Sequence, residues 1–256
     1  MTTKIKATII SLLLTVGVLT ITGCSNTNNV TTIADISYKR NMEENAYTVY
    51  LLENNIYVPY FVLTESRKTN SVILLRKYLL DDNMIYNPNE PYSAYYSGSN
   101  VDKYLTNEFP SRFSPDLFTY ITESQIKITS KDSLYTGAPI TETISRLFFL
   151  LSCSEVFGNG SKTVATEGNV LSFFLKEDNR IAKHEDNTTD IWWLRTPDTW
   201  YDTLVCTVGV RGNLGICGVG GVEGENSNSV RPAFCLKSDT EIINVDGKNY
   251  LLGFNP

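Results

Sequence analysis

Histidine is nearly absent from this chain of 256 residues, where His184 stands alone. Zinc sites built from several histidines are thereby excluded, and any Ser-His-Asp or Cys-His mechanism rests on one residue. That residue lies in the polar run "KHEDNTTD" at 183–190, which reads as a solvated loop. No Cys-x-x-Cys occurs among the five cysteines. A phosphate-binding loop is missing too: the glycines at 209, 212, 215, 218, 220, 221 and 224 follow no Gly-x-x-x-x-Gly-Lys-Ser/Thr pattern and precede no helix start. They read as turns, bulges and places of close backbone approach. Basic charge is also short, with 22 Lys and Arg against 28 Asp and Glu. An acidic body does not suit nucleic acid or anionic lipid through a broad basic face. No repeat of fixed period and no long internal linker break the chain, so it reads as one domain.

The N-terminus carries an address. Lys4 and Lys6 precede the apolar segment 7–21, and the run ends Ile21-Thr22-Gly23-Cys24. A charged start, an apolar stretch and small residues before a cleavage point read as a secretory signal over 1–23. The apolar segment is shorter than the roughly 20 residues of a permanent membrane span. The pattern before Cys24 closely resembles a bacterial lipobox, which makes Cys24 the lipid attachment residue. Each buried acyl methylene contributes about 0.8 kcal/mol, so two or more chains on one residue hold a protein stably at a membrane. The expected location is the extracellular face of the cell membrane. "SNTNNVTT" at 25–32 lacks charge and aromatic residues and reads as flexible, within a tether expected over 24–46. The mature chain keeps 20 basic and 28 acidic residues, a formal charge of −8.

The body, expected over 47–256, carries legible elements. Residues 47–65 form two strand-like runs around Glu53-Asn54-Asn55, a hairpin turn, with Pro59 marking an edge or bulge. Residues 71–80 read as a strand. Ser99 or Asn100 caps a helix whose Val101, Tyr104, Leu105 and Phe109 share one face. Ser114-Pro115 opens a second short helix through Ile121. Residues 129–140 and 158–190 read as loops with at most short elements. Strands follow at 203–208, 214–219 and 230–236, and Asp246-Gly247 tips a last hairpin. Cys153 sits in the apolar run "LFFLLSCSE", which reads as a buried strand. Cys206 and Cys217 flank a turn, where they either meet across a hairpin or both point into a core.

An ordered set of segments carries a resemblance: "VDKYLTNEF" at 101–109, "FFLLSCSEV" at 148–156, "WWLRTPD" at 192–198, "VGVRGNLG" at 208–215 and "SVRPAFCL" at 229–236. Together they resemble a bacterial domain-of-unknown-function family, number six-two-seven-three, whose members are common in exported proteins of Firmicutes. Thr106, Thr196 and Ser229 depart mildly from its pattern. The family in turn looks like the C-type-lectin-like, formylglycine-generating-enzyme type of fold. The resemblance implies an α+β domain with small twisted antiparallel sheets, one or two helices and long loops. It also implies that Trp193, Arg195, Pro197, Arg231 and Pro232 are structural, the two arginines bracing buried carbonyls or a carboxylate.

The loops hold the recognition candidates, because loops on a rigid scaffold carry most binding. Asp198, Trp200, Tyr201 and Asp202 place aromatic rings beside carboxylates, suited to stacking on a sugar. Arg211, Asn213, Glu223, Glu225 and Asn226 are polar turn residues, and "EGEN" at 223–226 offers oxygens for calcium. The Glu-Pro-Asn and Trp-Asn-Asp motifs of calcium-dependent lectins are missing, and "NPNEP" at 87–91 has those residue types in another order. The reading therefore assigns no catalytic residue, metal or cofactor. It expects a non-catalytic surface lipoprotein that binds a glycan, peptide or envelope component. The alternatives are a structural accessory protein of the envelope, or an enzyme related to formylglycine-generating oxidases.

Overall fold

The computed structural model describes residues 31–66, 69–89, 93–158, 165–198, 201–220 and 226–256. Trp200, Glu223, Glu225, Cys24 and the signal segment lie outside them. Among the described residues, strands occur at Thr48–Glu53 (β1), Ile56–Ser66 (β2), Ser71–Arg76 (β3), Met84–Ile85 (β4), Ile121–Thr122 (β5), Ser124–Thr129 (β6), Thr141–Arg146 (β7) and Phe148–Phe149 (β8). They continue at Trp192–Pro197 (β9), Leu204–Val208 (β10), Leu214–Gly218 (β11), Ser227–Asn228 (β12), Ala233–Lys237 (β13), Ile242–Val245 (β14) and Lys248–Leu251 (β15). The helices Asn100–Asn107 (α1), Lys131–Thr136 (α2) and Cys153–Phe157 (α3) are joined by one-turn 3-10 segments. The protein is thus α+β, mostly sheet with few helices.

The main sheet runs β14-β15-β1-β2-β3-β13-β5, with β8 also on β13, and it curls into a half-barrel. Two of its hairpins follow from their turns. Asn54 and Asn55 take φ 51° and 63°, and Asp246 and Gly247 take 49° and 79°. These left-handed pairs match the twist of the flanking strands. Pro59 pairs with Tyr50 of β1, and its carbonyl, on the other side, accepts from Lys77 N–H just beyond the end of β3. Its missing N–H therefore faces the place where the ladder with β3 has ended. Tyr60 and Phe61, adjacent on β2, enter opposite cores. Tyr60 joins Phe113 and Phe234, with Phe109 and Phe148 behind them, and Phe61 joins Tyr47 and Phe173. The sheet is covered on both faces.

Several boundaries differ from expectation. The tether expected over 24–46 is packed from residue 31 onward. Ile33 is buried and its N–H donates to Thr240 O, Ile242 N–H donates to Thr31 O, and Tyr38 stacks edge-on against Tyr47. The apolar run with Cys153 is a strand only at β8. Ser152 then caps α3 in a capping box with Glu155, so Cys153 opens a helix. The stretch 129–140, expected as loop with at most short elements, holds the six-residue helix α2, which Ser130 caps and Gly137 closes at φ 69°. Ser99 does cap α1, accepting from Asp102 N–H. The second short helix is a 3-10 turn over Pro115–Thr119, and Ile121 has already entered β5.

One buried ion cluster locks the sheet to the segment after α1. Glu53, at the end of β1, accepts from Tyr60 Oη at 2.6 Å, Arg76 Nε at 3.1 Å and Arg112 Nη1 at 2.8 Å. Burial pushes its carboxyl up, but Arg76, Tyr60 and Arg112 together outweigh burial and hold it below the ordinary glutamate value.

Candidate functional site

The candidate recognition residues divide between two places. Asp198, Tyr201 and Asp202 lie at the β9–β10 turn. Asp198 is buried with its N–H on Leu204 O, the Asp202 carbonyl accepts from Ala94 N–H, and Tyr201 is 62% exposed. Asn226 joins them beside Gly218, its amide donating to Gly220 O. Arg211 and Asn213 are exposed at the opposite end of the five-residue strand β10, about 17 Å away at roughly 3.4 Å per residue. Between them Gly212, at φ 75°, brings the turn against Glu177 O, where a Cβ would lie 3.1 Å away. That turn is fixed by packing on the 3-10 segment Glu177–Arg180. One loop surface joining all these residues does not form among the described positions.

Trp193, Arg195 and Pro197 lie within β9, a fully buried strand. Trp193 Nε1 donates to Met84 O at 2.7 Å, and its ring packs edge-on against Tyr86. Every guanidinium nitrogen of Arg195 is engaged. Nη1 and Nη2 hold Glu155 at 2.8 and 2.9 Å, and backbone carbonyls of Lys127, Leu150 and Glu167 accept the remaining bonds. Glu167 stands 3.6 Å from Nε, and its oxygens accept from Thr129 N–H, Thr129 Oγ1 and Thr196 Oγ1. Burial pushes the Glu167 carboxyl up despite Arg195 and these hydroxyls. Arg195 is thus a brace with its acceptors supplied by the protein itself.

Arg231 is built differently. It enters just before β13, where Pro232 O accepts from Arg76 N–H, and its side chain is 1% exposed. Its Nε donates to Arg76 O at 3.0 Å and Nη2 to Lys77 O at 3.4 Å, but buried Nη1 has no hydrogen-bond partner among the described residues. The guanidinium carbon lies over Trp192 at 5.2 Å and over Phe61 at 5.9 Å. Those rings attract the charge but offer Nη1 no lone pair. With no carboxylate in salt-bridge reach among the described residues, burial alone pushes the guanidinium down to about 9.

Arg231 lines a pocket of about 440 Å³. Its apolar walls are Tyr47, Phe61, Phe173 and Ile181, and its charged lining includes Lys77, Lys183, Glu44 and Asp178. Lys77 is engaged by Glu44, whereas Lys183 is exposed and forms no ion pair among the described residues. The pocket has the size and the mix of apolar wall and few polar groups typical of small-molecule sites. None of its walls shares a motif with another; the signal visible in the sequence was Arg231 itself.

The remaining chemistry-bearing groups gather elsewhere. His184 is not on an open loop: its Nε2 lies 3.4 Å from Ser229 Oγ and 3.7 Å from Asp190. Ser229 is buried, and its hydroxyl is within 2.7 Å of Asn83 and 3.1 Å of Asp190. A catalytic relay needs the two imidazole nitrogens on different partners, and here one nitrogen meets both. Cys206 and Cys217 do not meet. Cys206 pairs with Ile216 and Cys217 with Val205, so their side chains leave opposite faces of the hairpin. The thiol next to Cys206 is that of Cys153, whose hydrogen bond, with burial, pushes the Cys206 thiol up. Among the described residues all four cysteines are free, and no group of three or more His, Cys, Asp or Glu is placed to hold a metal.

A family model described as "Domain of unknown function (DUF6273)" matches residues 69–238. The chain belongs to that family. DUF6273 covers both arginines, α1, α3, β9 and the β10–β11 hairpin, whereas Glu44, Tyr47 and Phe61 of the pocket precede the matched stretch. No curated protein matches the chain, and no solved structure does.

Proposed function

We propose that this DUF6273 protein is a lipid-anchored binding module at the extracellular face of the bacterial membrane, with a non-catalytic, C-type-lectin-like body. The observation that carries the binding role is Arg231, a buried guanidinium in the lining of an open pocket, whose Nη1 lacks a partner among the described residues. A buried charge is expensive unless it is paired, and Arg195 shows the same fold pairing one fully. The lipobox-like run ending at Cys24 supports the anchor, and the order of the family segments supports the lectin-like scaffold. No helix among the described residues is long and apolar enough to cross a membrane. On this reading the acyl chains on Cys24 hold the protein in place.

Cells expressing the full chain should incorporate labelled palmitate, and Cys24→Ser should abolish both the label and membrane retention. The protein purified from those cells should respond to soluble envelope fragments at the amides of Lys77, Tyr78 and Lys183. Label persisting in Cys24→Ser, or responses confined to Tyr201 and Asp202, would contradict the anchor or the site respectively.

A further inference from the structure

We infer that the Arg231 pocket takes a small organic monocarboxylate with an apolar or aromatic body, a deepening that rests on the pocket being the binding site. Two of the three guanidinium nitrogens donate to Arg76 O and Lys77 O, and Nη1, without a partner among the described residues, is the one left for a ligand oxygen. One free nitrogen matches one oxygen of a carboxylate and leaves most of a phosphate's oxygens unmatched. The charge balance agrees. Lys77, Lys183 and Arg231 face Glu44 and Asp178, a net charge of +1 in the lining. A monoanion neutralises it, whereas a dianion overshoots.

The rest of the ligand is set by the walls. Tyr47, Phe61 and Phe173 form one contiguous aromatic cluster, with ring centroids 5.3 to 6.0 Å apart. Such a wall favours an apolar or planar body lying on it, with the carboxylate directed to Arg231. Lys183, exposed at the rim, adds a second cation for approach or for the other carboxylate oxygen. The space of about 440 Å³ suits a molecule of small-metabolite size.

The probes are 3-phenylpropionate, its neutral amide and phenyl phosphate, titrated into the full mature chain in detergent micelles and followed by backbone amide shifts. Hydrogen bonds to charged groups contribute enough that the carboxylate should bind about 10- to 100-fold more tightly than the amide. Shifts should centre on Lys77, Tyr78 and Lys183. Lys183→Ala, at an exposed site that leaves the core intact, should weaken the carboxylate several-fold and leave the amide unchanged. Equal affinity for carboxylate and amide at those amides would overturn the anionic class while keeping the pocket as a site. Tighter binding of phenyl phosphate would overturn the monocarboxylate assignment. No response at those amides to any of the three would overturn the inference, and the pocket reading falls with it only if envelope fragments also leave these amides unmoved.

Discussion

Replacing Arg195 by Met should destabilise the protein by about 3–5 kcal/mol, read as a fall in the urea unfolding midpoint. The size follows from what is left behind. Glu155 and Glu167 converge on this guanidinium, and Glu167 is fully buried. Without Arg195 the buried Glu167 and the half-buried Glu155 lose their shared cation, and the carbonyls of Lys127, Leu150 and Glu167 lose their donors. The loss should deepen as pH rises. Burial already holds the Glu167 carboxyl above its ordinary value, so the folded variant keeps a proton that the unfolded chain releases. Arg195→Lys should recover only part of the stability, because an ammonium cannot hold Glu155 through two parallel bonds. A cost below about 1 kcal/mol for Arg195→Met would show that β9 is held by its apolar packing alone.

Glu53→Ala should cost a similar amount, about 3–5 kcal/mol, by leaving Arg76 buried without its principal carboxylate. Arg76 keeps the carbonyls of Tyr78 and Leu79, and its remaining acidic neighbour, Glu185, is exposed and 3.9 Å away. The pH dependence runs in the same direction as that of Arg195→Met, but in a lower pH window. Glu53 is held below the ordinary glutamate value, so its contribution is complete above about pH 4.5 and is lost as pH falls through its depressed folded value. The gap between wild type and Glu53→Ala should therefore close in acid. Urea titrations at pH 7 and at successively lower pH values measure it, and a gap that stays constant into acid would contradict the paired state of Glu53.

Local chemistry was legible where one short stretch decides the conformation. Asn54-Asn55 and Asp246-Gly247 specify tight hairpins because their residues tolerate positive φ, and Ser99 caps α1 with its own side chain. The run ending at Cys153 misleads, since a short buried apolar segment has no periodicity of its own. The signal that resolves it is Ser152 three residues before Glu155, a capping box. Residues 31–46 looked like tether because their polar composition hides the contacts that order them, among them Ile33 on Thr240 and Tyr38 on Tyr47. Cys206 and Cys217 show that spacing alone does not set register: a shift of one residue sends them to opposite faces.

The site was half legible. Arg195 and Arg231 sit in matching signature segments and look equivalent in the chain. Their difference lies in partners drawn from distant segments: Glu155 and Glu167 for Arg195, and for Arg231 two backbone carbonyls and two aromatic faces. No spacing announces that Arg231 has no carboxylate in salt-bridge reach among the described residues.

The most direct test of the account is the unfolding free energy of Arg231→Met beside that of Arg195→Met. Methionine removes an uncompensated charge together with two bonds to carbonyls, effects of opposite sign and comparable size. Arg231→Met should stay within about 1 kcal/mol of wild type at pH 7 and no longer bind 3-phenylpropionate. A loss of about 3 kcal/mol or more, as large as that for Arg195→Met, would make Arg231 a second structural brace and contradict its assignment as the ligand-facing arginine.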